Sequence, residues 1–129
     1  GAVVIDDCYN ANPGSVRAAI DTLASCEGRR TLVLGAMREL GPTSESLHRE
    51  IGSYARDAQI DRLWGVGEEL EPAVQAFGEA GRWFPDCAAA IEALTDEFGG
   101  EDTVLVKGSR GARMERVLNA LLAKSREEN

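Results

Sequence analysis

Residues 2–23 read AVVIDDCYNANPGSVRAAIDTL, and this stretch contains one strand, one polar turn and one helix. The four apolar residues 2–5 predict a buried strand. Asn12 and Pro13 then predict a helix start, because asparagine is a favoured N-cap and proline is favoured at the first helical position. Apolar residues recur at helical spacing beyond them: Val16, Ile20 and Leu23. The chain therefore opens on a strand–helix unit.

Four further units of this kind follow along the chain. Each has a short apolar strand and then a segment with apolar residues at helical spacing. The further strands are predicted at 31–34, 61–66, 82–84 and 103–106. Five successive units predict a Rossmann-like, three-layer α/β domain, in which a mainly parallel sheet of about five strands carries helices on both faces. The polar segment from Lys124 onward is expected to fray.

The composition argues against several classes of protein. The 129 residues suit one domain spanning 1–129. A net charge of −8 would repel nucleic acid and anionic lipid, so we expect neither as a partner. Three widely spaced cysteines and a single histidine argue against a disulfide framework or a metal site. Reduced thiols favour the cytoplasm, where we expect the protein to be a monomer.

Three polar segments follow predicted strands. They are residues 6–13 (DDCYNANP), 35–42 (GAMRELGP) and 107–111 (KGSRG). Ligands of open parallel sheets bind beyond the carboxyl ends of the strands, so these segments are the candidate binding elements.

The first and third segments have side chains suited to binding. An aspartate after a strand accepts hydrogen bonds from ribose hydroxyls or ligates a metal, and the N–H groups of a helix start bind anions. The alternative is a turn whose Asn and Asp serve only as caps, which explains Asn12 but leaves the two acids unexplained. In the third segment, two cations and a hydroxyl suit a carboxylate or phosphate, although a solvated basic turn fits equally well.

Two single residues receive structural predictions. Ser109 is predicted to cap the last helix. His48 lies off the apolar stripe of its own helix and is predicted to be a surface residue.

The three polar segments also resemble one family. DDCYNANP is similar to the DDSYNANP signature of MurF-type Mur ligases, and LVLGAMRELG (32–41) is similar to their LVLGDMxELG segment. VLVKGSRGARMERV (104–117) resembles their closing KGSR…ME segment. Since order and spacing agree from about residue 3 to 122, the chain resembles the C-terminal domain of such a ligase.

The resemblance implies an activity for the full-length enzyme. Ligases of this type use ATP and Mg²⁺ to join D-alanyl-D-alanine to UDP-N-acetylmuramoyl-tripeptide through an acyl phosphate. Their N-terminal and central ATPase domains would lie outside this chain, and the central domain would hold most of the Mg²⁺ and phosphate contacts. No catalytic residue is therefore expected in this chain alone, which we predict to be inactive by itself.

The resemblance also implies residue roles. The nucleotide contacts would be Asp7, at the ribose, with Tyr9, Asn10 and Asn12 near the phosphates. The substrate contacts would be Asn10, Asn12, Lys107, Ser109 and Arg110, which would bind the dipeptide or the growing peptide. Two positions depart from the family: Cys8 stands in place of serine, and Ala36 in place of an acid.

The sequence also leaves other classes of protein open. A receiver domain also has two acids after its first strand and a lysine after its fifth, as in Asp6, Asp7 and Lys107, but residues 63–67 lack the required phosphoacceptor acid. A stand-alone dinucleotide-binding domain would need a G-x-G-x-x-G fingerprint, which this sequence lacks. An interaction module without a small-molecule ligand is a further alternative.

Overall fold

The computed structural model describes residues 3–7, 11–109 and 112–128. Within these ranges the strands are β1 (Val3–Asp7), β2 (Arg29–Leu34), β3 (Arg62–Val66), β4 (Gly81–Phe84) and β5 (Asp102–Lys107). The α-helices are α1 (Pro13–Ala24), α2 (Ser44–Asp57), α3 (Glu71–Phe77), α4 (Cys87–Glu97) and α5 (Glu115–Glu128). Strands and helices alternate, as predicted.

The strands form one parallel sheet in the order β1-β5-β2-β3-β4. Helices α1, α2 and α3 pack on one face, and α4 and α5 pack on the other. The predicted three-layer architecture is therefore confirmed. Strand β5 lies between β1 and β2, but the helix that follows it, α5, packs on the opposite face of the sheet from α1 and α2. A crevice is therefore expected at the carboxyl ends of these three strands.

Alternation along the strands builds the two cores. In β2, Leu32 and Leu34 face the α1–α3 layer, whereas Val33 between them faces the α4–α5 layer. Gly52 lets α2 cross α3 closely, since a Cβ atom there would overlap the carbonyl oxygen of Ala73.

Two predictions about the last helix are wrong. Helix α5 begins at Glu115, six residues after Ser109, so Ser109 does not cap it. The backbone also stays helical to Glu128 instead of fraying from Lys124. The physical reason is a tertiary anchor: the Lys124 ammonium donates to the carbonyl oxygens of Thr95 and Phe98 at the end of α4.

A buried ion cluster stabilises the amino-terminal edge of the sheet. The Asp102 carboxylate, only 1% exposed, accepts two hydrogen bonds from Arg29, at 2.6 and 3.1 Å. It also accepts one from the Gly99 amide at 2.7 Å and lies 3.5 Å from Arg62. Burial alone would raise the pKa of Asp102, but the hydrogen bonds from Arg29 and Gly99 outweigh it and hold that pKa below its ordinary value.

Replacing Asp102 by asparagine is expected to lower the free energy of unfolding by about 2–3 kcal/mol at pH 7. The expected loss is smaller than the roughly 3–5 kcal/mol that breaking a fully buried ion pair costs, because the Arg29 side chain is half-exposed. A carboxylate with a lowered folded pKa stabilises the fold above its unfolded pKa, near about 3.9, and this stabilisation is lost as the pH falls through the folded pKa.

Urea unfolding from pH 7 to pH 3 measures this effect. The difference between the two proteins should stay constant down to about pH 5 and shrink below about pH 4. Asp57→Asn is the matched control, because Asp57 is exposed and pairs only loosely with Arg56, at 3.5 Å. Equal stability of the Asp102 variant and the parental protein at pH 7 would contradict the assigned role.

Candidate functional site

The carboxyl ends of β1 and β5 bring two predicted site residues together. Asp7 and Lys107 are register partners, and their side chains form an ion pair of 2.9 Å between Nζ and Oδ2. The Lys107 side chain is 2% exposed, whereas that of Asp7 is 41% exposed. A buried ammonium needs a compensating charge, so Lys107 holds Asp7 in place while part of the carboxylate stays accessible.

Asp7 and Lys107 line a groove beside β1. Its volume is about 300 Å³, and its other wall is the face of α1 around Ser15, Ala18 and Thr22. The groove is open to a ligand that approaches the accessible side of Asp7.

The start of α1 is fixed by a capping box. The Asn12 side-chain oxygen accepts from the Ser15 amide at 2.9 Å, and the Asn12 amide donates to Ser15 Oγ at 3.0 Å. Asn12 is therefore the N-cap, as predicted. Its amide oxygen is engaged by the helix start.

The loop after β2 is joined to the segment after β5. The Gly35 amide donates to the Lys107 carbonyl at 2.8 Å, and the Ser109 amide donates to the Ala36 carbonyl at 3.1 Å. Glycine is required at 35 and 108 because a Cβ atom at either position would collide with the Met114 side chain. These contacts bring the second and third polar segments together.

A second cavity, of about 320 Å³, lies beside Ser109 at the ends of β2 to β5. Its wall includes Ala36, Arg38, Gly67, Asp86, Ser109, Arg113 and Arg116. Ser109 is 6% exposed, and its hydroxyl has no hydrogen-bond partner among the described residues. The wall carries three arginines against two acids, Glu69 and Asp86, so a buried hydroxyl without a described partner in this cavity suits a carboxylate or phosphate ligand.

Two residues in the segments that contribute to this cavity adopt left-handed backbone conformations. Glu39 has φ of 61° and Arg113 has φ of 55°. Such angles are uncommon for residues with side chains and are retained where the surrounding contacts enforce them. Here they turn the loop after β2 and the segment before α5.

The Cys87 thiol also lies on the cavity wall, where it has a structural role. Its Sγ donates to the carbonyl oxygens of Ala112 and Arg113, at 3.4 and 3.7 Å. Burial raises the pKa of Cys87. The neutral thiol that results is a poor nucleophile.

The prediction for His48 is wrong. His48 is 0% exposed, and its Nε2 accepts from the Met37 amide at 3.1 Å. It lies on the buried face of α2, at helical spacing from Ile51, Gly52 and Ala55, and its ring also contacts the loop after β2. The spacing of residues 48, 51, 52 and 55 places His48 on that face, so the surface prediction misjudged where the buried stripe of α2 is centred.

The structure brings some of the predicted site residues together, separates another and leaves three undescribed. Asp7 and Lys107 lie together, Ser109 lies at the same sheet edge in the second cavity, and Tyr9, Asn10 and Arg110 fall outside the described residues. Sequence reasoning missed the arginines on the cavity wall, although two of them belong to the 104–117 motif: Arg38, Arg113 and Arg116.

Further observations bear on the alternatives. β3 ends at Val66 and Gly67 follows, so the acid that a receiver domain requires is missing there. The residues described form no group of three or more side chains suited to a metal ion. No helix in the described ranges has the length and apolar character needed to cross a membrane.

The sequence is similar to known proteins over most of its length. The family described as "Mur ligase, glutamate ligase domain" matches residues 1–110. The UDP-N-acetylmuramoyl-tripeptide–D-alanyl-D-alanine ligase of Escherichia coli K12 is 44% identical over 121 residues, which cover 92% of this chain and 26% of that protein. The protein of the same name from Bacillus subtilis 168 is 34% identical over 130 residues, covering 95% of this chain and 28% of that protein.

Solved structures show the same likeness. The MurF ligase from Thermotoga maritima in complex with ADP superposes with a TM-score of 0.85 at 28% identity, covering 100% of this chain and 30% of that one. MurF from Acinetobacter baumannii superposes with a TM-score of 0.87 at 30% identity, covering 95% of this chain and 28% of that one. The chain thus spans less than a third of the length of these relatives.

Proposed function

The chain belongs to the Mur ligase family, among the C-terminal domains of MurF type, and from this premise we propose that it contacts the nucleotide and the dipeptide in an ATP-dependent ligase. The proposed reaction joins D-alanyl-D-alanine to UDP-N-acetylmuramoyl-tripeptide. We assign it to the cytoplasm, because ATP and a UDP-linked precursor are its substrates.

The Asp7–Lys107 pair carries the nucleotide part of the proposal. Lys107 holds one carboxylate oxygen of Asp7, at 2.9 Å, and the other oxygen remains to accept hydrogen bonds from ribose hydroxyls. The site lies next to the crevice where parallel α/β sheets bind nucleotides. Lys107 therefore acts on the nucleotide through Asp7, because its ammonium is engaged by that carboxylate.

The cavity beside Ser109 carries the dipeptide part. D-alanyl-D-alanine has one free carboxylate, and its amine must stay available to attack the acyl phosphate. We propose that Ser109 donates to this carboxylate, with charge support from Arg113 and Arg116 on the same wall. Such binding leaves the amine free to attack the acyl phosphate.

Acyl-phosphate chemistry needs cradled phosphates and Mg²⁺, and we assign both to the central domain of the full-length ligase. The described residues here offer no set of metal-ligating side chains that fits Mg²⁺. The contribution of this chain is orientation: Asp7 fixes the ribose end of ATP, and the Ser109 cavity fixes the carboxylate end of the acceptor. Both reactants are then held in one geometry for attack.

Ser109→Ala in the full-length ligase tests the dipeptide site. We expect the KM for D-alanyl-D-alanine to rise about tenfold or more, because a hydrogen bond to a charged group contributes about 1.5–3 kcal/mol. The KM for ATP should stay within about twofold of the parental value. Steady-state phosphate release, with the dipeptide and ATP varied in turn while the other substrates are saturating, measures both.

Thermal unfolding of the same variant separates binding from folding. Removing a buried hydroxyl that has no partner among the described residues should leave the unfolding temperature unchanged or raise it. Ser46→Ala on the exposed side of α2 is the matched control and should alter neither quantity. An unchanged dipeptide KM in the Ser109 variant would refute the assignment of this cavity.

A further inference from the structure

His48 makes hydrogen bonds that fix its tautomer, and Ser44 Oγ also lies 3.3 Å from its Nδ1. Nε2 accepts from the Met37 amide, at 3.1 Å, because a backbone N–H can only donate. The proton therefore sits on Nδ1, which donates to the Ser44 carbonyl at 2.8 Å, one turn earlier in α2. The imidazole thus connects the first turn of α2 to the loop that follows β2.

The same loop is held from its other side by the segment after β5. The Ser109 amide donates to the Ala36 carbonyl. That carbonyl belongs to the same peptide group as the Met37 amide, which donates to His48. Ala36 and Arg38, on either side of Met37, both line the cavity beside Ser109. A continuous hydrogen-bonded path therefore runs from α2 through His48 and the loop to Ser109.

We propose that His48 is a positioning residue for the dipeptide: it holds the loop at residues 36–38 against Ser109 and so sets the wall of the binding cavity. This inference rests on the proposed function of that cavity. An apolar side chain at 48 would leave the Met37 amide buried without an acceptor, so the loop would move to hydrate it. Glutamine would restore an acceptor of similar reach.

Amide hydrogen exchange of the 129-residue chain tests the hold on the loop. In His48→Leu, the amides of Met37 and Ser109 should exchange at least about tenfold faster, because each loses its partner or its fixed geometry. The amides of Leu63 and Val104, in the central strands, should be unchanged. His48→Gln should keep Met37 and Ser109 protected. A uniform loss of protection in His48→Leu, with the strands included, would show a merely structural role and overturn the inference.

Kinetics of the full-length ligase test the consequence for the substrate. His48→Leu should raise the KM for D-alanyl-D-alanine at least about fivefold with the KM for ATP within about twofold, and His48→Gln should restore the dipeptide KM. An unchanged dipeptide KM for His48→Leu in an active enzyme would overturn the inference. An inactive parental enzyme would instead refute the proposed function, and hydrogen exchange would then decide the role of His48 alone.

Discussion

The 129-residue chain alone is expected to show no ATP hydrolysis and no peptide-bond formation, even with all three ligase substrates present. Phosphoryl transfer depends on cradled phosphates, bridging Mg²⁺ and a positioned nucleophile. The sequence contains no G-x-x-x-x-G-K-[ST] loop to hold the β- and γ-phosphates. The described residues add one ribose-binding carboxylate and one cavity for an anion. These groups orient reactants without activating them.

Two measurements on the purified chain check this expectation. Calorimetry with ATP and Mg²⁺ should show little heat, because the partial site is expected to bind at about millimolar, or roughly −4 kcal/mol. Phosphate release should stay at background. Circular dichroism is the control, since a folded α/β domain must be present for the negative result to count. Micromolar binding, or turnover that scales with chain concentration, would show that the chain is a complete enzyme.

Local pattern predicted the elements of this fold but not their arrangement. The α1 start was predictable because Asn12 and Pro13 encode the cap and first turn through contacts within a few residues. The placement of β5 between β1 and β2 was not, since it depends on packing between segments about 100 residues apart. Strand ends were also misjudged: pairing extends β1 through Asp7 and β5 through Lys107, so both polar residues are strand residues.

The candidate site was predictable in its residue types and only partly in its geometry. Asp7, Lys107 and Ser109 all lie at the predicted sheet edge. Their pairing was not predictable, because the sequence does not show that Lys107 is buried beneath Asp7 while Ser109 faces a separate cavity. The burial of His48 was missed because His48 and Gly52 interrupt the apolar pattern of the buried face that they share with Ile51 and Ala55.

Asp7→Ala in the full-length ligase is expected to weaken ATP binding strongly. The loss is a charge-assisted hydrogen bond to ribose, which contributes about 1.5–3 kcal/mol. This corresponds to a rise in KM for ATP of about 10- to 100-fold. The dipeptide KM should stay within about twofold, because Asp7 and Ser109 line different cavities.

A double-mutant cycle with Lys107→Met tests how Lys107 acts. If Lys107 works through the 2.9 Å pair with Asp7, the single Lys107 variant should also raise the KM for ATP. The double variant should then be no worse than Asp7→Ala, because both changes remove the same held carboxylate. Additive effects, with a raised dipeptide KM for Lys107→Met, would instead favour a direct contact between Lys107 and the dipeptide.

The KM for ATP of the Asp7→Ala ligase, measured at saturating D-alanyl-D-alanine and UDP-N-acetylmuramoyl-tripeptide, tests the nucleotide site most directly. We predict a rise of about 10- to 100-fold with kcat within about threefold, since the lost bond contributes about 1.5–3 kcal/mol and lies far from the reacting phosphate. An unchanged KM for ATP with normal turnover would remove Asp7 from the nucleotide site and contradict the proposed role of this domain.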